Sequence, residues 1–185
     1  PSIANAFSTG AFRVGHSTLN DHLRLVGNDG LDVADAVSLA DAFFTPESLA
    51  EAGIEVFLKY AASTQSQEVD LQVVDSLRNF LFGPPGSGGL DLVSLNIQRG
   101  RDHGLADYNS TREAYGLDRV ASFAEITSDA GVQADLESLY GDVDNVDLWV
   151  GMLAEDHTEN GSLVETATAI IADQFERLRD GDRFY

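Results

Sequence analysis

Cysteine is absent from the sequence, and lysine occurs once, at Lys59. Without cysteine the chain can form no disulfide, no thiolate metal cluster and no thiol nucleophile. Basic side chains are also scarce: 11 lysines and arginines stand against 31 aspartates and glutamates, which gives a formal net charge of -20. A surface of this charge repels the phosphates of nucleic acids and of anionic membranes. We therefore expect no nucleic-acid partner.

Long apolar runs are missing as well. No stretch approaches the ~20 apolar residues that a membrane-spanning helix needs, so no membrane insertion is expected. A chain of 185 residues can bury one sizeable core, and residues 1–185 are interpreted as a single region. The first residue is Pro1 rather than a methionine, which favours a C-terminal part of a longer protein.

What remains is a pattern of helices. Apolar residues recur at helical spacing, whereas alternating runs are scarce, so the predicted fold class is mainly α and multi-helical. Helices are predicted over residues 2–19, 129–140 and 162–179, and another is predicted to begin near Asp91. A helix is also predicted to begin at Thr45-Pro46-Glu47 and to be interrupted near Gly53. A further helix is predicted from a buried stripe of Leu71, Val74, Leu77 and Leu81. Gly27-Asn28-Asp29-Gly30 is predicted to be a turn. Residues 84–89 are predicted to be a linker, because no Gly-Lys-Ser/Thr follows that would indicate a phosphate loop.

The first predicted helix carries a histidine on its apolar side. Phe12, His16, Leu19 and Leu23 follow helical spacing, so we expect them to share one buried stripe. Arg13 lies three residues before His16, on the same side. An imidazole with a guanidinium beside it suits haem, because the iron takes an axial nitrogen and the propionates take arginines. The alternative is a core histidine satisfied by one hydrogen bond, which is the commoner role.

A second segment, residues 90–109, contains Asn96-Ile97-Gln98-Arg99-Gly100-Arg101-Asp102-His103-Gly104. It closely resembles the signature segment of the animal-type haem peroxidases, the myeloperoxidase and peroxidasin superfamily. Residues 12–16 resemble the proximal-histidine helix of that family, and residues 140–151 and 179–184 are similar to further family segments. All four come in the family's order, so the resemblance covers nearly the whole chain. Animal members usually carry disulfides, and the lack of cysteine points toward a bacterial relative.

The resemblance implies a set of haem-binding residues. His16 corresponds to the proximal axial ligand of the iron, and Asn96 to the residue whose side-chain carbonyl accepts a hydrogen bond from the other ring nitrogen. Arg13 and Arg99 correspond to arginines near the propionates of haem b. From the residues alone, Asn96 could instead be a helix-interior amide bonded to backbone, and Arg99 part of a surface ion pair. The residues expected to organise the fold rather than react are Arg101, Asp102 and His103.

The implied activity is that of a haem peroxidase, which uses hydrogen peroxide to oxidise a halide or a small organic electron donor. Peroxide cleavage needs a distal base and a distal cation. In the family those residues and a calcium site precede the proximal helix, so we expect neither in these 185 residues. The implied partners are peroxide, the electron donor and the missing N-terminal part of the same domain. The 185 residues alone are expected to be inactive.

Two alternatives remain open. A haem-dependent fatty-acid dioxygenase or cyclooxygenase shares the fold, but such enzymes place a radical-forming tyrosine three residues before the proximal histidine, where this chain has Arg13. A non-catalytic haem-binding or adhesive module is the other alternative, and an upstream distal His and Arg would distinguish an enzyme from it. By resemblance, the protein is expected to be extracellular or secreted.

Overall fold

The computed structural model of the protein describes residues 2–45, 47–79, 89–159 and 161–184. It is mostly helical, as the sequence predicts. The chain divides into two compact units. The first unit comprises residues 1–17, 68–72 and 94–185, and the second comprises residues 18–67 and 73–93. Within the described ranges no helix is both long and apolar enough to cross a membrane.

The elements follow one another along the chain as mostly short helices. They are α1 (Asn5–Thr9), α2 (Leu39–Phe44), α3 (Glu47–Ala52), α4 (Ile54–Ser63), α5 (Asp75–Arg78), α6 (Leu92–Asp102), α7 (Tyr108–Ala114), α8 (Ala130–Tyr140), α9 (Leu148–Ala154) and α10 (Glu165–Gly181). Short 3₁₀ helices cover Ala11–His16, Phe123–Glu125 and Val143–Asn145. Two strands, β1 (His22–Val26) and β2 (Asp32–Ser38), lie in the second unit.

The predicted single helix over residues 2–19 is wrong in its extent. The backbone turns at Gly10 and divides it into α1 and the 3₁₀ helix that follows. A Cβ atom at Gly10 would lie 2.6 Å from a backbone carbonyl oxygen of α1, so this close approach requires glycine. The predicted apolar stripe is lost with the helix, because Phe12 is 64% exposed and Leu23 lies in β1.

The second unit contains a β-hairpin that the sequence pattern does not indicate. Strands β1 and β2 pair antiparallel, with His22 opposite Ser38. The predicted turn at residues 27–30 joins them, and a backbone hydrogen bond of 3.2 Å closes it. Only the last two residues of β1 are buried, and β2 is exposed over most of its length. Neither strand therefore shows the apolar alternation by which a strand is recognised in a sequence.

Other predicted helix boundaries are corrected or confirmed by the backbone. The interruption near Gly53 is confirmed, because α3 ends one residue before it and α4 begins one residue after it. Gly53 itself has a φ of 83°. The predicted stop of the helix 129–140 is also confirmed, with Gly141 in the left-handed region. The predicted final helix begins three residues later than expected, at Glu165.

The helix predicted from the apolar stripe that begins at Leu71 is present only as the four-residue α5. The Asp70 carboxylate accepts from the Gln72 amide at 2.7 Å, and the backbone stays extended as far as Val74. The prediction of a full helix there was therefore wrong. Leu81, Pro46 and residues 84–88 of the predicted linker lie outside the described residues.

The core of the first unit surrounds Tyr108, which is fully buried. Its hydroxyl donates to Glu155 Oε1 at 2.6 Å, and Arg112 Nη1 donates to the same oxygen at 3.2 Å. The Thr166 amide donates to the other carboxylate oxygen at 3.0 Å. Burial and the neighbouring carboxylate raise the pKa of Tyr108 well above its usual range, so the hydroxyl remains a donor. This network joins α7, the residue after α9, and the start of α10.

Gly151 of α9 gives a test of this packing, because a Cβ atom there would lie 2.4 Å from Cδ2 of the Tyr108 ring. The ring is held by its packing and its hydrogen bond, so we expect Gly151→Ala to lower the free energy of unfolding by about 1–3 kcal/mol. Gly100→Ala in α6 is the matched control, since its Cβ would lie at an ordinary 3.5 Å from Leu105. Urea denaturation should show the first variant destabilised and the control unchanged or up to ~1 kcal/mol more stable. Equal midpoints for the two variants would contradict the packing argument.

Candidate functional site

Arg13 and His16 lie on one edge of the 3₁₀ helix Ala11–His16. In a 3₁₀ helix, side chains three residues apart eclipse each other, so these two share one face. Both are half-buried. The predicted proximity of the guanidinium and the imidazole therefore holds although the predicted α-helix does not.

Asn96 reaches this edge from α6, 80 or more residues along the chain. It is 1% exposed. Its Oδ1 accepts from Arg13 Nη1 at 2.9 Å, and its Nδ2 lies 2.8 Å from His16 Nδ1. Arg13 Nε also donates to the Ser8 carbonyl at 3.3 Å. Three of the four predicted site residues thus form one hydrogen-bonded series, the Arg13–Asn96–His16 row.

The orientation of the Asn96 amide differs from the predicted one. The expected arrangement has the carbonyl oxygen accepting from an N–H of His16. In the structure the carbonyl oxygen accepts from Arg13 instead, and the NH₂ group faces His16 Nδ1. The physical reason is that a guanidinium has donors only, so the amide must turn its single acceptor toward Arg13.

The imidazole of His16 is disposed to be neutral. Its pKa is lowered from the ordinary 6.5, first by burial and second by the positive charge of Arg13. Because Nδ1 faces the amide, Nε2 is the ring nitrogen left for another partner. Among the described residues no hydrogen bond to His16 Nε2 is present. A neutral imidazole binds metal ions through whichever ring nitrogen carries no proton.

Arg99 lies one turn beyond Asn96 on α6 and is exposed. Within the described ranges its side chain forms no hydrogen bond or ion pair. The alternative interpretation as a surface ion pair therefore has no partner in that part of the chain. The structure places Arg99 on the same helix as Asn96, but within the described ranges it forms no hydrogen bond with the Arg13–Asn96–His16 row.

The end of α6 is held by contacts that the sequence did not indicate. Arg101, which was expected to organise the fold, forms a bidentate pair with Asp147, at 3.0 and 2.7 Å. The Tyr140 hydroxyl donates to the same carboxylate at 3.0 Å. Asp102 instead accepts from Gln98 within α6. The sequence signal for this partner is weak, because Asp147 is one of three aspartates in the six residues before α9.

The comparisons with known proteins identify the family of the chain. The sequence model described as animal haem peroxidase matches residues 1–185, and the chain belongs to this family. Peroxinectin A of Dictyostelium discoideum is 40% identical over 183 residues, which are 99% of this chain and 34% of that protein. Thyroid peroxidase of Canis lupus familiaris is 39% identical over 195 residues, with 100% of this chain and 20% of that protein covered. The chain thus spans about a third or less of the length of these relatives.

Solved structures are similar as well. Peroxidase A from Dictyostelium discoideum superposes with a TM-score of 0.93 at 41% identity, over 98% of this chain and 35% of that chain. The fatty acid alpha-dioxygenase of Arabidopsis thaliana has a TM-score of 0.88 at 24% identity, over 100% of this chain and 31% of that chain. At that identity the second likeness shows a common fold and nothing more.

We expect the lowered pKa of His16 to be measurable by an NMR titration of the haem-free protein. The imidazole should titrate below 6.5, because burial and Arg13 both disfavour its charged form. Arg13→Met removes the smaller of the two causes, so it should raise the pKa without bringing it back to 6.5. A His16 that titrates at or above 6.5 in the unmodified protein would contradict this electrostatic account.

Proposed function

We propose that this chain provides the proximal half of the haem site of a peroxidase that uses hydrogen peroxide to oxidise a halide or a small organic donor. The observation that carries the proposal is the Arg13–Asn96–His16 row, in which Asn96 contacts His16 at Nδ1 and no hydrogen bond to Nε2 is present within the described part of the chain. Burial and Arg13 lower the pKa of this imidazole, which favours its neutral form. Family membership supports it, because the matched family is named for haem and for peroxidase activity.

The residues present fit haem by the chemistry of their donors. An imidazole nitrogen is a common axial ligand of haem iron, and guanidinium groups bind carboxylates such as propionates. His16 would bind the iron through Nε2, while Asn96 would fix the plane of its ring. Arg99 and Arg13 would hold the carboxylate edge of the group. When bound, haem b would supply the redox chemistry with peroxide.

The remaining parts of the activity belong to residues beyond this chain. A distal base and cation, and the calcium site of the family, would come from the N-terminal part of the same domain, which is therefore a proposed partner. The peroxide and the electron donor are the proposed small-molecule partners. We further propose that the protein acts outside the cell, as the resemblance to the secreted members of the family suggests.

A fatty-acid dioxygenase is the second candidate, and the fold similarity to the plant enzyme favours it in part. The peroxidase proposal has the better support, since identity to a named peroxidase is 41% against 24% for that dioxygenase. Arg13 also occupies the position at which the dioxygenases are expected to carry a tyrosine. A non-catalytic haem module would differ from an enzyme by lacking the distal residues.

The proposed ligand is tested by His16→Gly in the protein with its complete peroxidase domain. Loss of the axial nitrogen should abolish the histidine-bound ferric haem spectrum or greatly lower haem retention. Added imidazole should restore the spectrum, because it can occupy the space left by the side chain. His22→Gly, which removes an exposed histidine of β1, is the control and should retain haem. An unchanged spectrum in the first variant would remove His16 from the site.

The proposed role of Asn96 is tested by Asn96→Asp. A carboxylate attracts the imidazole N–H more strongly than an amide does, so electron donation to the iron should rise and the reduction potential should fall. Loss of such a partner, as in Asn96→Ala, typically costs ~10–100-fold in metal affinity or activity. Gln98→Glu adds the same charge on the exposed side of α6 and should leave the potential nearly unchanged. Equal potentials in all variants would contradict the role of Asn96.

A further inference from the structure

The Asn96 side chain has two different ends, and its two neighbours compete for them. An amide offers one acceptor oxygen and one donor NH₂ group, whereas a guanidinium can only donate. Arg13 Nη1 lies 2.9 Å from the amide oxygen, so the NH₂ group is the end that faces His16 Nδ1, at 2.8 Å. The side chain at position 13 thus determines which end of Asn96 meets the histidine.

This orientation also determines the position of the proton on the neutral imidazole. Nδ1 faces a donor and must accept, so the single ring proton lies on Nε2. Nε2 then has no lone pair with which to bind a metal ion. Ligation through Nε2 requires the other tautomer, in which Nδ1–H would point at an N–H of the amide. The arrangement seen in the structure and a ligated His16 are therefore mutually exclusive unless the amide rotates.

We propose that Arg13 is a positioning residue that keeps His16 in its non-ligating tautomer until a carboxylate of the incoming haem binds the guanidinium. Release of the amide oxygen then lets Asn96 turn by half a rotation. The ring loses its Nε2 proton to water and takes one from water at Nδ1, so that Asn96 accepts from Nδ1–H and the lone pair lies on Nε2. This inference rests on the proposed function. It adds that propionate binding and iron ligation are coupled through Asn96.

The surroundings of Arg13 favour such a release. Among the described residues its side chain bonds only neutral oxygens, those of Ser8 and Asn96, at 3.3 and 2.9 Å. Other arginines of this acidic chain, such as Arg24 and Arg119, pair with carboxylates. A guanidinium and a carboxylate carry opposite charges and frequently form two parallel hydrogen bonds, so a propionate competes well with neutral oxygens for Arg13. The half rotation of the amide exchanges its oxygen and nitrogen in place and requires no movement of α6.

The first test needs no variant and no haem. Two-bond ¹H–¹⁵N correlations of the haem-free protein, recorded above the ordinary titration range of histidine, distinguish the two neutral tautomers. We expect His16 to carry its proton on Nε2. In Asn96→Asp both ends of residue 96 accept, so the proton should move to Nδ1. A wild-type His16 with its proton on Nδ1 would overturn the proposal.

The second test compares haem with its dimethyl ester, which has no carboxylate to bind Arg13. A simple ion pair predicts that Arg13→Met weakens the binding of haem and leaves the binding of the ester unchanged. The coupling predicts in addition that Arg13→Met strengthens the binding of the ester, on the order of tenfold, because the amide is no longer held by a charged donor. Arg13→Lys keeps a donor-only side chain and should bind the ester as the wild type does.

Arg99→Met is the matched control, since Arg99 is also expected to bind a propionate but forms no hydrogen bond with Asn96 in the described part of the chain. It should weaken the binding of haem and leave the affinity for the ester unaltered. An ester affinity that is equal in wild type and Arg13→Met would overturn the coupling while leaving His16 as the ligand. A haem spectrum that does not depend on His16 would instead remove the proposed function, whatever the tautomer.

Discussion

The buried carboxylate of Glu155 is the interaction on which the first unit depends. It accepts from Tyr108, Arg112 and the backbone of Thr166, so α7, the end of α9 and the start of α10 meet at one charge. Removal of one of these donors from the buried carboxylate would lower the free energy of unfolding by several kcal/mol. The three helices are therefore held in fixed positions relative to each other. Helices α9 and α10 both pack against the 3₁₀ helix Ala11–His16. The position of the site thus follows from the network in the core.

The sequence predicts well what depends on local chemistry. Asp129 and Gly141 bound α8 because a carboxylate accepts from amides at one end and glycine adopts the left-handed region at the other. Gly53 interrupts a helix for the same local reason. The proximity of His16 and Asn96 is different, because no periodicity relates residues 80 positions apart. That prediction came from the family resemblance.

What the sequence did not predict depends on contacts between distant segments. The spacing of Phe12 and His16 suits an α-helix, but the close packing at Gly10 divides that helix and leaves Phe12 exposed. The hairpin β1–β2 has little buried surface, so its sequence lacks the alternation of apolar and polar residues that would predict strands. The partner of Arg101 is Asp147 rather than its neighbour in sequence. In each case the deciding group lies far along the chain or on the backbone.

The Asn96 amide lies beside His16, as the resemblance implies, but it is oriented differently from the expected arrangement. Peroxidases and fatty acid dioxygenases share this fold at low identity, so the backbone alone does not determine the chemistry. Side chains around the histidine can carry such a difference, and Arg13, which bonds to Asn96 beside it, is one of them. Its donors turn the amide away from the orientation that ligation needs. Under the proposed coupling, an arginine at this position would both hold the carboxylate edge of haem and make iron ligation depend on that carboxylate, which a tyrosine at the same position could not do.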